Sequence, residues 1–327
     1  MADTNSKQHP LFCVRPFTEF YIDAEGDAHL CCPQWIDMCV GNVLETPPMD
    51  IWRGPEAQEI RDSIEDGSFS HCRNCGNRGC IQPRSFNPPS VARIETLTLS
   101  YDLTCNLRCP SCRTVAQKAD ERTQAIHNSV TTYDLLQHVN CIRTAGNGDP
   151  IASKYFWRLL TWLEHLSKRV VDAKVPSRLE LQTNGLLLTP EVVARITKVI
   201  PISQVLVSVD ASHPDTYREL RGGNWYKLMS NLNNLASEEI PLQLNFVVQT
   251  ANFQEMPAFV RLAKQLNAKV VYFSGIENWC DYPDDVFGAT AIHRPEHPRH
   301  HELLSLMSKT DFRGSDMNVV LARLPKL

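Results

Sequence analysis

Three cysteines constrain this chain more than any other feature. Cys105, Cys109 and Cys112, in the run Tyr101-Asp-Leu-Thr-Cys-Asn-Leu-Arg-Cys-Pro-Ser-Cys112, have CxxxCxxC spacing and follow an apolar, strand-like stretch. Three thiolates leave a four-iron cluster one ligand short. An iron with an open position binds and reduces a small molecule, whereas a closed four-cysteine site carries electrons or holds structure. Structural zinc is the competing reading. Zinc motifs, however, come as paired CxxC units with a tetrahedral complement, and this loop supplies an unpaired triplet.

The loop resembles that of the radical S-adenosylmethionine (SAM) superfamily. The resemblance implies that the open iron chelates the methionine amino and carboxylate groups of SAM. It implies further that one electron from the reduced [4Fe-4S] cluster cleaves a carbon-sulfur bond, giving a 5'-deoxyadenosyl radical that takes a hydrogen atom from substrate. The protein's share is to position and shield. Ser111 stands where the family often has an aromatic residue, so adenine packing is expected to differ there.

Composition narrows the class. With 327 residues, 43% hydrophobic and 21% charged, the chain can bury a large core in one or two domains. It has no run of eighteen apolar residues, and its first ten residues are polar without an export pattern, so a cytoplasmic location and no membrane partner are expected. A net charge of −4 with scattered basic residues offers no footprint for a phosphate backbone, so no nucleic-acid partner is expected. Twelve cysteines in a reducing compartment point to metal sites rather than disulfides, and eleven of them lie at or before Cys141.

From Ile94 onward, short β-branched or apolar runs alternate with helical patterns, the mark of βα units around a parallel sheet. Strands are predicted at 94–103, 136–144, 178–183, 203–210, 241–249 and 269–274. Helices are predicted near 114–129, 153–168, 190–198, 213–235 and 255–266. Six units are too few for an eight-stranded barrel, but the family is known for a six-stranded version. The fold class expected is therefore α/β: a partial (β/α)6 radical SAM barrel preceded by a small cysteine-rich module. The expected domains are 1–90 for that module, 91–280 for the barrel and 281–327 for a carboxyl-terminal extension that covers substrate.

Ligands of parallel α/β folds bind beyond the carboxyl ends of strands, and the remaining motifs fall there. Gly146-Asn-Gly-Asp-Pro150 resembles the family's GGEP element, which would set Gly148 and Asp149 against the SAM amino group; an ordinary turn is the alternative. Gln182-Thr-Asn-Gly185 and Val207-Ser-Val-Asp210 also look like family elements. By that resemblance Ser208, with Thr183, Asn184 or Asp210, contacts the ribose or carboxylate of SAM. Arg221 matches an arginine that pairs with the methionine carboxylate through its planar fork, the alternative being a surface arginine.

The first ninety residues hold Cys13, a Gly26-x4-Cys31 element followed by Cys32, then Cys39, Cys72-Arg-Asn-Cys75 and Cys80. This arrangement resembles the SPASM and Twitch extensions, which hold auxiliary iron-sulfur clusters but normally follow the barrel. The resemblance gives one auxiliary [4Fe-4S] cluster on Cys13, Cys31, Cys72 and Cys75, with Cys32 as the rival of Cys31 and zinc as the structural alternative. A closed iron-sulfur site accepts an electron; zinc only holds the fold.

Cys280, just after the sixth predicted strand, is a candidate hydrogen-atom donor to a substrate radical, or else a packed core thiol. The histidine-rich segment 293–301, interrupted by prolines, reads as a surface or substrate-covering loop. The expected activity is reductive SAM cleavage and hydrogen abstraction from a sugar, aminocyclitol or nucleoside-like substrate, by dehydrogenation or epimerisation. A peptide-modifying maturase is the alternative, and a non-catalytic iron-sulfur or zinc scaffold the alternative of another class. The partners expected are a small-molecule or peptide substrate and a reductase, flavodoxin or ferredoxin electron donor.

Overall fold

The computed structural model describes residues 11–36, 38–72, 81–83, 90–110, 112, 118–144, 147–169, 174–278, 282–310, 312 and 317–325. Cys75 and Cys280 lie outside them. The chain divides into two compact units.

The first unit comprises 1–103, 119–147 and 155–179. It holds β1 (Leu11–Cys13), β2 (Glu19–Ile22), β3 (Asp27–His29), β4 (Gly41–Asn42), β5 (Ile81–Pro83), β6 (Ile94–Leu99) and β7 (Val139–Thr144). The strand order is β4-β3-β2-β6-β7, with β2, β6 and β7 parallel and β3 and β4 returning as antiparallel strands; β1 and β5 form a separate antiparallel pair. Two short helices, Pro48–Arg53 and Pro55–Glu65, each begin with proline, whose fixed φ suits the first helical turn and whose missing N–H costs nothing there. They bury Trp52, whose ring meets Phe20 edge-on at 5.6 Å and whose indole N–H donates to the Val91 carbonyl at 2.8 Å. Arg61 is buried over that ring, 4.4 Å from its centroid, and its Nε donates to the Pro16 carbonyl. A guanidinium in a core is tolerated when it is stacked and hydrogen-bonded in this way.

The second unit comprises 104–118, 148–154 and 180–327. Its strands are β8 (Arg178–Thr183, of which 180–183 belong to it), β9 (Ile202–Ser208), β10 (Leu242–Val248), β11 (Val270–Gly275) and β12 (Asn318–Ala322), in that order across the sheet. The pairs β9 with β10, β10 with β11 and β11 with β12 are parallel. Buried and half-buried positions alternate along β8, β10 and β11 with the period of two that a pleated strand imposes. Leu244, Phe246, Val271 and Phe273 occupy the buried face, where Phe246 and Phe273 pack with Phe259 of helix Met256–Gln265.

The fold is α/β with parallel strands joined through helices, as the sequence pattern predicts. Two details differ. The predicted helix 213–235 is two helices, Pro214–Arg221 and Trp225–Ser237, because Gly222 takes a left-handed conformation (φ +68°) that ends the first. The parallel strands β2 and β12 extend the set beyond the six predicted. Among the described residues, no helix is long and apolar enough to cross a membrane.

Candidate functional site

The cysteine loop follows β6. Leu107 N–H donates to Cys105 Sγ at 3.4 Å, and Cys112 N–H to the Cys109 carbonyl at 3.0 Å, a tight turn that keeps the three thiols in one loop. Cys109 is buried and its thiol donates to the Arg221 carbonyl at 3.6 Å. Burial pushes the Cys109 thiol up to about 11, opposed by the Arg221 guanidinium. Burial likewise raises Cys105, opposed by the Leu107 N–H. The same positive charge and N–H donor favour thiolates when a metal displaces the protons.

Arg221 is the last residue of its helix, and its side chain is only 13% exposed rather than on the surface. Its Nη1 donates to the Asp210 carboxylate at 3.0 Å. Burial alone disfavours a charged guanidinium, but Asp210 and then Cys109 hold Arg221 protonated. Asp210 sits just past β9 with φ +62°, a conformation aspartate tolerates better than most side chains. Its other oxygen accepts the Val247 N–H at 2.7 Å, and its carbonyl accepts Asn252 Nδ2 at 2.9 Å.

A second hub is Asp149, of which 1% is exposed. One oxygen accepts Ile151 N–H at 3.1 Å; the other accepts the Thr183 hydroxyl at 2.7 Å and Asn184 N–H at 2.8 Å. Its own N–H donates to the Thr104 carbonyl at 2.7 Å. Asn184 Nδ2 in turn donates to Asn106 Oδ1 at 2.8 Å and lies 3.8 Å from Cys105 Sγ. One carboxylate thus ties the Gly148–Asp149 turn and the end of β8 to the cysteine loop. Cys105, Cys109, Asp149, Thr183, Asn184, Asp210 and Arg221 are joined by these bonds. Gly148 is half-buried beside Asp149, and Ser208 is half-buried at the last position of β9, opposite Asn245 of β10.

Two residues were not singled out from the sequence. Asn106 receives the Asn184 amide, and Tyr217 is fully buried one helical turn before Arg221. Burial pushes the Tyr217 phenol up to about 12, and among the described residues neither its hydroxyl nor Arg221 Nε has a hydrogen-bond partner. Such orphaned buried donors beside Cys109 fit a site that takes a polar ligand. Among the described residues no three metal-binding side chains converge on a single point. A four-iron cluster makes no such demand, since each cysteine binds its own iron. The thiols with these donors fit a [4Fe-4S] cluster and SAM.

In the first unit, Cys13 and Cys31 are both buried and interact electrostatically. Cys72 packs against the Phe12, Cys13, Phe17 and Ile64 cluster and bridges to Ile36. Burial pushes the Cys31 thiol up to about 12, and Arg15, with Nη1 3.9 Å from the sulfur, acts against this. Cys32 is half-buried. Cys39 is exposed and donates to the Gly41 carbonyl at 3.2 Å. The histidines of 293–301 are more structural than a surface loop predicts. His297 is buried, its Nε2 lies 3.2 Å from Thr250 Oγ1, and helix His300–Lys309 begins inside the segment.

Comparison with known proteins adds to this geometry. The model of SPASM, an iron-sulfur cluster-binding domain, matches residues 13–76. The chain is 28% identical over 176 residues to the AdoMet-dependent heme synthase of Methanosarcina barkeri, covering 52% of this chain and 48% of that protein. It is 25% identical over 177 residues to the mycofactocin maturase MftC of Mycolicibacterium smegmatis, covering 53% and 43%. It is 26% identical over 161 residues to a probable GTP 3',8-cyclase of Methanococcus aeolicus, covering 48% and 51%. The chain spans about half the length of the curated relatives it matches. Over about half its length the chain is thus similar to S-adenosylmethionine-dependent enzymes, and its amino-terminal residues 13–76 match an iron-sulfur cluster-binding SPASM domain; with the cysteine loop, this likeness supports S-adenosylmethionine, a [4Fe-4S] SAM cluster and one auxiliary [4Fe-4S] cluster as cofactors.

Proposed function

We propose that the protein cleaves SAM reductively and abstracts a hydrogen atom from a sugar, aminocyclitol or nucleoside-like substrate, by dehydrogenation or epimerisation. The SAM cluster supplies the 5'-deoxyadenosyl radical. In this reading Cys105, Cys109 and Cys112 hold the SAM cluster, and Gly148, Asp149, Thr183, Asn184, Ser208, Asp210 and Arg221 bind or position SAM. Cys13, Cys31, Cys72 and Cys75 hold the auxiliary cluster. Residues 1–90 form the auxiliary module, 91–280 the barrel and 281–327 the extension, with Cys280 a hydrogen-atom donor if the outcome is epimerisation. A cytoplasmic location and a flavodoxin, ferredoxin or reductase donor complete it.

The observation that carries the chemistry is the pair of buried hubs, Asp149 and Arg221, that reach the cysteine loop through Asn184 and the Cys109–Arg221 contact. Support for the substrate class comes from the half-buried face of β9, β10 and β11. Gln204, Ser208, Gln243, Asn245, Tyr272 and Ser274 share it with the apolar Leu206, Val247 and Val270, and none of its residues is Asp, Glu, Lys, Arg or His. Amides and hydroxyls suit an uncharged hydroxyl-rich ligand and offer a triphosphate no counter-charge. The similarity to the mycofactocin maturase favours a second reading, modification of a peptide. Formation of 5'-deoxyadenosine by the anaerobically reconstituted, chemically reduced protein tests the chemistry; an iron-loaded protein that forms none contradicts it.

A further inference from the structure

We propose that Arg15 and Glu19 set the reduction potential of the auxiliary cluster, Arg15 raising it and Glu19 lowering it. This rests on the reading that Cys31 is a ligand of that cluster. Arg15 stands two residues after Cys13, in the short helix Arg15–Thr18 that leads into β2. That placement brings its Nη1 to 3.9 Å from Cys31 Sγ, at the far end of the β2–β3 hairpin. The same nitrogen lies 3.5 Å from Glu19 Oε2, and the other Glu19 oxygen lies 3.7 Å from Arg143 Nη1 on β7. The side chains of Arg15 and Glu19 are 21% and 17% exposed, so solvent screens them only in part.

A cluster gains one negative charge when it is reduced. A guanidinium that donates toward a ligating sulfur stabilises the reduced form more than the oxidised one, so the potential rises. The Glu19 carboxylate opposes this, both directly and by drawing on the charge of Arg15. Arg143 places a second cation behind Glu19. Arg15 is a positioning and tuning residue: it acts through Cys31, and an electron-accepting auxiliary site gains driving force from it.

The test uses the full-length chain with Cys105, Cys109 and Cys112 replaced by alanine, so that only the auxiliary cluster is loaded. After anaerobic reconstitution, iron and sulfide are counted and the midpoint potential is read by potentiometric titration with electron paramagnetic resonance. At equal iron content, Arg15→Gln is expected to move the potential down and Glu19→Gln to move it up, with Arg15→Lys between Arg15→Gln and the parent. Opposite signs from two neighbouring substitutions are not the signature of loosened packing. Potentials unchanged in both variants, or moved in the same direction, overturn the proposal. If Arg15→Gln does not load, the sign of Glu19→Gln decides. A parent that binds no iron and sulfide refutes the auxiliary-cluster reading itself, and the proposal falls with it.

Discussion

The Asp210 carboxylate meets the Arg221 guanidinium at 3.0 Å inside the second unit, where 1% of the Asp210 side chain and 13% of the Arg221 side chain are exposed. The pair links the end of β9 to the end of helix Pro214–Arg221, whose last carbonyl accepts from Cys109. Breaking a buried pair leaves an uncompensated charge, which costs about 3–5 kcal/mol. Arg221→Met is expected to lower stability in urea by that order, with Arg221→Met/Asp210→Asn recovering part of it. A double variant no more stable than the single one contradicts the pairing.

Asp149→Asn keeps the shape but not the charge of a hub that accepts three hydrogen bonds. Residues that orient a metal ligand from behind typically contribute about 10–100-fold to affinity or activity. SAM cleavage is expected to fall by that order while iron content stays close to wild type. Unchanged cleavage removes Asp149 from the site.

Glycines at two strained positions separate backbone from packing. Gly185 has φ +80°, and a Cβ there lies 2.6 Å from Leu228 Cδ1 and 3.0 Å from Val207 Cγ1. Gly222 has φ +68° with open space around it. Both alanine variants meet a left-handed penalty of about 1–2 kcal/mol, and Gly185→Ala adds overpacking of about 1–3 kcal/mol. Chemical denaturation is expected to rank Gly185→Ala as the less stable variant.

His127 confers a pH dependence on the first unit. Burial, with Arg158 beside it, pushes its pKa down to about 4 from the ordinary 6.5. The ring is therefore neutral in the fold, with Nδ1 2.9 Å from the Tyr101 hydroxyl. Between pH 6.5 and 4 the unfolded chain binds a proton that the folded chain does not, so stability drops as pH falls through that window. His293, pushed down to about 4 by burial, acts with the same sign. The urea midpoint is expected to fall less from pH 7 to pH 5 in His127→Gln than in wild type. Equal falls contradict the assignment.

Strong periodicity made parts of the fold legible. The alternation Arg178-Leu-Glu-Leu-Gln-Thr183 marks β8 with its observed bounds, and the apolar spacing of 153–168 lies one residue from helix Lys154–Arg169. The five residues of β12 carry no comparable signal, because a short strand is fixed by its parallel pairing with β11 rather than by its own pattern. The break at Gly222 is carried by three residues, Gly222-Gly223-Asn224, in which a left-handed glycine ends one helix and an asparagine N-cap starts the next, so a reading by apolar runs alone passes over it. At the site, spacing alone marks the cysteine triplet. The bonds that make Asp149 and Arg221 hubs span 34 residues to Thr183 and 112 to Cys109, and only the folded chain closes such distances. Arg15 beside Cys31 is likewise a product of the hairpin, not of the motif.

The most direct test counts iron and sulfide after anaerobic reconstitution, in wild type and in the Cys105/Cys109/Cys112 triple-alanine variant, together with 5'-deoxyadenosine formed on reduction. The account predicts about eight irons falling to about four, with cleavage abolished. About four falling to none contradicts the auxiliary cluster, and cleavage that survives the triple substitution contradicts the SAM-cluster assignment itself.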